Sequence, residues 1–210
     1  MELPNWLKNK LFPRTMTEKL FEQGAYHESG HIIMAYYAQF KSDNVTLIQN
    51  DPGSGFTRFD YLDPKIICMI TAMQNYAHDP SIYNELDNSL KNLAEQVASK
   101  IMGTLLGGPV SEALYKSGIS FEGNLHIDVS GPDLKSVESI HLCLSNNIPN
   151  HSPNYITNTL KQVVNLLRQP NFWAAIEHLS STLLGSPNKM LNKKQIENSL
   201  STSGYLNFIK

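Results

Sequence analysis

The sequence predicts a mainly α-helical domain with a small β-hairpin or short sheet. Three observations predict it. Apolar residues recur at three- and four-residue spacing through most of the chain. Only one stretch, near residues 45–60, sets two β-type runs on either side of a glycine-rich turn. Of the 210 residues, 41% are apolar and 17% charged, which is enough apolar material to bury one sizeable core and argues against wholesale disorder.

The first helix is expected to open at Thr17-Glu18-Lys19 and run to about Gln39. Thr15 or Thr17 is placed to cap it, and Glu18 in the first turn favours the helix dipole. Residues 45–49 read as a strand, Asp51-Pro52-Gly53-Ser54-Gly55 as a turn, and residues 56–60 as a second strand. Asp63-Pro64 opens a second helix through the apolar run 66–73, and residues 77–88, polar and carrying Pro80, read as a loop. Residues 90–106 form a helix with Leu93, Val97, Ile101 and Leu105 on one face. Gly107-Gly108-Pro109 is expected to break it, with Pro109 starting a new helix to Tyr115. After an irregular stretch at 117–128, Ser130-Gly131-Pro132-Asp133 opens a helix to about Ser145. Helices then follow near 155–168, 171–184 and 193–200. Residues 1–16 are read as an N-terminal arm, with Trp6, Leu7, Leu11 and Phe12 packed on the domain formed by 17–210.

Charge and composition exclude several classes. With 17 Lys plus Arg against 19 Asp plus Glu, the net charge of -2 gives no electrostatic case for nucleic acid or an anionic membrane. No apolar run approaches the ~20 residues of a spanning helix, so no transmembrane segment is expected. The start, MELPNWLKNKLFPRT, lacks the apolar core of a signal peptide. Cys68 and Cys143 cannot build a disulfide framework or a four-thiolate zinc site. They read as free thiols of a reducing compartment, and a cytoplasmic location is the expectation. No G-x-x-x-x-G-K-[ST] occurs, so no P-loop is present.

One constellation carries chemistry. Residues 26–35 read YHESGHIIMA, in which His27, Glu28 and His31 form H-E-x-x-H inside the first long helix. Positions i and i+4 lie one turn apart on one face, so two imidazoles there are able to aim a ring nitrogen each at a single ion about 2.0–2.1 Å away. Glu28 is rotated by roughly 100° around the helix. It therefore reaches the edge of the metal site, where a carboxylate takes a proton from water and passes it to a leaving amine. With seven histidines and 11 glutamates, chance yields the motif in about one chain per hundred of this composition.

A catalytic zinc needs a third protein ligand and an open position. The metzincin extension is absent, because Met34 and Tyr37 stand where its Gly and His would fall. Glu85, Glu95, Glu112, Asp128 and Asp133 remain as acidic candidates, and His126 lies near the last two in sequence. His78, His141, His151 and His178 read as solvent or core histidines.

The order of motifs resembles the protease domain of FtsH-type ATP-dependent zinc metalloproteases. That family's first motif is close to YHEAGHA, and here Tyr26–Ile32 reads YHESGHI. Its VTIIPRG strand and G-Y-T second strand are similar to Val45-Thr46-Leu47-Ile48 and Gly55-Phe56-Thr57. Its LGGRAAEEL resembles the run from Leu106 to Leu114, with Pro109 in place of the arginine. Its N-D-L helix start resembles Pro132-Asp133-Leu134. The likeness spans roughly residues 17–200, without the family's AAA+ ATPase module or membrane segments. It implies a helical zincin-like protease domain with Zn²⁺ held by His27, His31 and Asp133, Glu28 as general base, and Glu112 orienting a zinc histidine. It further implies a polypeptide substrate bound along the strand near 55–59, a partner ATPase, and some self-association as a homo-oligomer. The competing expectation is a non-proteolytic, zinc-containing regulatory or assembly module related to the same domain.

Overall fold

The computed structural model describes residues 14–120, 123, 125–127 and 131–209. Most of the N-terminal arm, with Trp6, Leu7, Leu11 and Phe12, lies outside the described residues. So do Asp128 and Ser130. The expected class is what the structure has: helices dominate, with one short antiparallel sheet.

Helix α1, Met16–Tyr37, is the central element. Thr15 caps it through a full capping box: its side chain accepts from the Glu18 N–H, and the Glu18 carboxylate accepts from the Thr15 N–H at 2.7 Å. From Gly24 to Tyr36 almost every residue of α1 is buried, because it is enclosed on several sides. Strand β1, Lys41–Leu47, follows directly and pairs antiparallel with β2, Gly55–Asp60. Helix α2, Pro64–Gln74, is capped by the Asp63 carboxylate, with Pro64 at its first position.

Residues 77–88, expected to form a loop, contain a short helix, α3, Pro80–Asn84; a second, α4, Asn88–Lys91, begins where that stretch ends and takes the start of the helix expected over 90–106. Asp79 and Asp87 cap them by accepting from Ser81 and Ser89 N–H groups. The long helix α5, Ala94–Ser117, corrects a second expectation. It runs unbroken through Gly107, Gly108 and Pro109. The reason is packing. Gly30 of α1 and Gly107 of α5 face each other so closely that a β-carbon on Gly30 would sit 2.2 Å from the Gly107 carbonyl oxygen. The glycines thus mark a helix contact rather than a helix end. Leu93 also departs from expectation: it caps the start of α5 and is 41% exposed, while Val97, Ile101 and Leu105 are buried.

Helix α6, Pro132–Asn147, starts at Gly131 with Pro132 and Asp133 in its first turn. Its position is fixed against the end of α2, where the Ser139 hydroxyl donates to the Met73 carbonyl at 3.1 Å and accepts from the Ala77 N–H at 3.0 Å. Helices α7, Tyr155–Leu167, and α8, Pro170–Gly185, follow. The Ser180 hydroxyl of α8 donates to the Ser29 hydroxyl and the Ala25 carbonyl of α1, at 2.9 and 3.2 Å. A third strand, β3, Met190–Asn192, precedes α9, Lys193–Thr202, and α10, Tyr205–Phe208. The Tyr205 hydroxyl donates to the Ile33 carbonyl at 2.9 Å, closing the core around α1.

The sheet order is β2-β1-β3 with both pairings antiparallel, so β2 is an edge strand among the described residues. The first strand begins four residues earlier than expected. A bulge between Ser42 and Asn44, with Ser42 donating to the Asn44 and Arg58 carbonyls, lets the polar Lys41–Asn44 stretch pair. No helix among the described residues is long and apolar enough to cross a membrane.

Candidate metal centre

Three elements meet at the middle of α1. The middle of α1 supplies His27, Glu28 and His31. The Gly-Gly-Pro region of α5 lies across it, and the first turn of α6 brings Asp133 to the same point, 106 residues from His27. Close approach of α1 and α5 is a precondition. At Gly108 a β-carbon would lie 2.4 Å from His31 Nε2, so any side chain there would occupy the space of the imidazole.

His27 Nε2 and His31 Nε2 are 3.1 Å apart, and Asp133 Oδ2 is 3.2 Å from the first and 3.4 Å from the second. Two donors each 2.0–2.1 Å from one tetrahedral ion stand about 3.3 Å apart, so these three separations match the edges of a tetrahedral ligand set. The two rings are inclined by 78°, one edge to the other.

The far nitrogens are already engaged. His31 Nδ1 donates to the Thr104 carbonyl at 2.9 Å, since a carbonyl only accepts. That assignment leaves the lone pair of the neutral ring on Nε2. His27 Nδ1 lies 3.0 Å from Glu112 Oε2, and Lys116 pairs with the other Glu112 oxygen from the next turn of α5. Metal-binding histidines are ordinarily held in this way, one by a backbone carbonyl and one by a carboxylate. Three electron-rich atoms therefore face a common point, an arrangement that a positive charge among them stabilises. In the metal-free chain a proton serves. Burial opposes charge on His27, but its hydrogen bonds to Asp133 and Glu112 outweigh that and raise its pKa to about 10. Burial likewise works to raise the Asp133 pKa. Its hydrogen bonds to His27 and His31 win and hold it well below the ordinary carboxylate range.

One side of the group is open. His31 is almost covered, with 6% of its side chain exposed, but His27 and Asp133 each keep 22%. They face a cleft of about 1090 Å³ walled by β2, by the α5 segment from Pro109 to Ser117, and by the start of α6. Glu28 lines the same cleft yet is only 4% exposed. Its Oε2 accepts from the Thr57 hydroxyl at 2.7 Å.

Among the sequence candidates, the structure brings together His27, His31 and Asp133 as one group of liganding atoms, with Glu28 beside it and Glu112 behind His27. His126 lines the cleft outside that group. Glu85 ends α3, and Glu95 begins α5 at 3.9 Å from His151, so neither belongs to the site. His141 and His151 pair with each other at 3.1 Å, while His78 is exposed and His178 half-buried. Three contributors escape sequence reasoning: the Thr104 carbonyl, Gly108 and Thr57. The Gly-Gly pair signals the second, and Gly55-x-Thr57, alternating on one strand face, signals the third. Nothing in a sequence marks a liganding carbonyl.

A scan of this chain against protein-family models and a search of curated proteins both return no match.

Proposed function

We propose that this chain is a zinc-dependent metalloendopeptidase that hydrolyses peptide bonds in unfolded or flexible polypeptides. The observation that supports this reading best is the triangle of His27 Nε2, His31 Nε2 and Asp133 Oδ2, open on one side to a cleft that also holds a buried carboxylate. Two imidazoles and one carboxylate at tetrahedral spacing, with a free fourth direction, are a donor set suited to catalytic Zn²⁺. Bound there, zinc supplies Lewis acidity, bringing the pKa of a water toward about 7 and polarising the scissile carbonyl.

The chain's own residues do the rest. Glu28 takes a proton from the attacking water as its oxygen bonds to the carbonyl carbon. It passes that proton to the amide nitrogen as the C–N bond breaks. Glu112 and the Thr104 carbonyl hold the two imidazoles in the tautomers that present Nε2. Strand β2, at the sheet edge and along the cleft, offers main-chain groups for an added strand of substrate, a mode that tolerates many sequences. The order of motifs that resembles FtsH-type protease domains supports the same assignment. The 210 residues carry no P-loop, and the reading takes polypeptides that are already unfolded or flexible as substrates.

The test is turnover of casein or a quenched flexible peptide by the zinc-loaded chain, abolished by a chelator and restored by zinc. Stoichiometric zinc with no cleavage of any unfolded substrate would replace this reading with the non-proteolytic regulatory or assembly module.

A further inference from the structure

The Glu28 carboxylate is not positioned by its own helix alone. Strand β2 grips it at two points. Thr57 donates its hydroxyl to Oε2 at 2.7 Å. Two residues earlier on the same face, Gly55 leaves room for the glutamate: a β-carbon there would stand 2.8 Å from both Glu28 Cγ and Oε1, and 2.9 Å from the Thr46 carbonyl oxygen. Positions i and i+2 of a strand share one face, so this grip follows from the strand's pleat. The same strand is in register with β1, with Thr57 opposite Val45 and Gly55 opposite Leu47, and among the described residues it has no strand on its other side. Its residues 55–57 and Phe59 line the cleft.

We propose that Thr57 is a positioning residue for Glu28, through which the edge strand that receives the polypeptide also aims the general base. The inference rests on the peptidase reading and adds to it a link between strand addition and proton transfer. A carboxylate on a flexible side chain has several rotamers, and one short hydrogen bond from a pleated strand selects one of them. Oε2 is committed to Thr57, so Oε1 is the oxygen that handles the proton. A peptide paired to the open side of β2 stiffens that strand, and with it the hydroxyl that holds the base. Thr57 touches neither the metal ligands nor the scissile bond in this scheme, so its loss is felt in kcat rather than in zinc content.

The test uses the full zinc-loaded chain and a quenched flexible peptide. Thr57→Val keeps the shape and removes the donor; Thr57→Ser keeps the donor. Thr57→Val is expected to lower kcat about tenfold or more with KM and zinc stoichiometry unchanged, and Thr57→Ser to restore most of the rate. A second readout needs no activity. In the metal-free chain, Thr57→Val is expected to lower Tm more in the Glu28 background than in a Glu28→Ala background. Wild-type kcat in Thr57→Val, or equal Tm shifts in the two backgrounds, overturns the positioning role while leaving the peptidase in place. A wild-type chain that binds zinc and cleaves nothing removes the reaction and this role together.

Discussion

His27 and His31 present their Nε2 atoms to each other across 3.1 Å while their Nδ1 atoms are held by Glu112 and the Thr104 carbonyl.

Glu28→Gln removes the carboxylate proposed to carry the proton and leaves the His27, His31 and Asp133 side chains alone. The variant is expected to bind zinc at wild-type stoichiometry and to lose peptide cleavage by at least about a hundredfold, the usual scale for a general base. Metal analysis alongside a peptide assay checks it, and wild-type turnover would take Glu28 out of the mechanism.

Gly108→Ala places a methyl group where the His31 ring lies, at 2.4 Å from Nε2. Zinc binding is expected to fall by two orders of magnitude or more, consistent with the loss of a ligand's geometry. Gly103→Ala is the control, since its β-carbon meets only the tip of Met34 at 3.6 Å. There zinc binding is expected to stay intact and stability to rise by about 0.5–1 kcal/mol through helix propensity. Calorimetric titration with zinc distinguishes the two.

Glu112→Ala leaves His27 without the carboxylate that holds its Nδ1. Zinc affinity is expected to drop about 10–100-fold, with cleavage recovered at high zinc. Loss of activity that added zinc cannot recover would give Glu112 a different task.

The metal-free chain carries a pH signature. The His27 pKa is raised from 6.5 to about 10 in the folded state, so its contribution to stability is complete below pH 6.5 and is lost as pH rises through 10. The Tm of the metal-free chain is expected to decline across that window. Zinc replaces the proton, so the loaded chain lacks this decline and zinc affinity climbs by up to about tenfold per pH unit. Thermal melts at several pH values, with and without zinc, check both; a metal-free Tm independent of pH between 7 and 10 contradicts the arrangement.

The placement of His27, Glu28 and His31 was legible because H-E-x-x-H is a local pattern whose spacing dictates a shared helix face. The Thr15–Glu18 and Asp63-Pro64 helix starts were legible for a similar reason, since a cap is made within a few residues. Gly107-Gly108-Pro109 misled because a glycine pair is the same signal for a chain break and for two backbones in contact. The choice depends on Gly30, 77 positions away. Strand β3 carries one buried residue, Leu191, in three, too few for an alternation to register. Asp133 entered as one of several acids, and only the likeness of motif order singled it out. Its approach to His27 is a tertiary fact that spacing does not contain.

The contact of Gly30 with Gly107 has a mechanical consequence. Backbones that touch leave no cushion of side chains between them, so α1 and α5 behave as one rigid beam carrying both imidazoles, the base and the Glu112 brace. Any widening of the cleft then falls to the opposite bank, the side formed by β2. The histidines are the anvil of this cleft, and the strand is the bank that faces them.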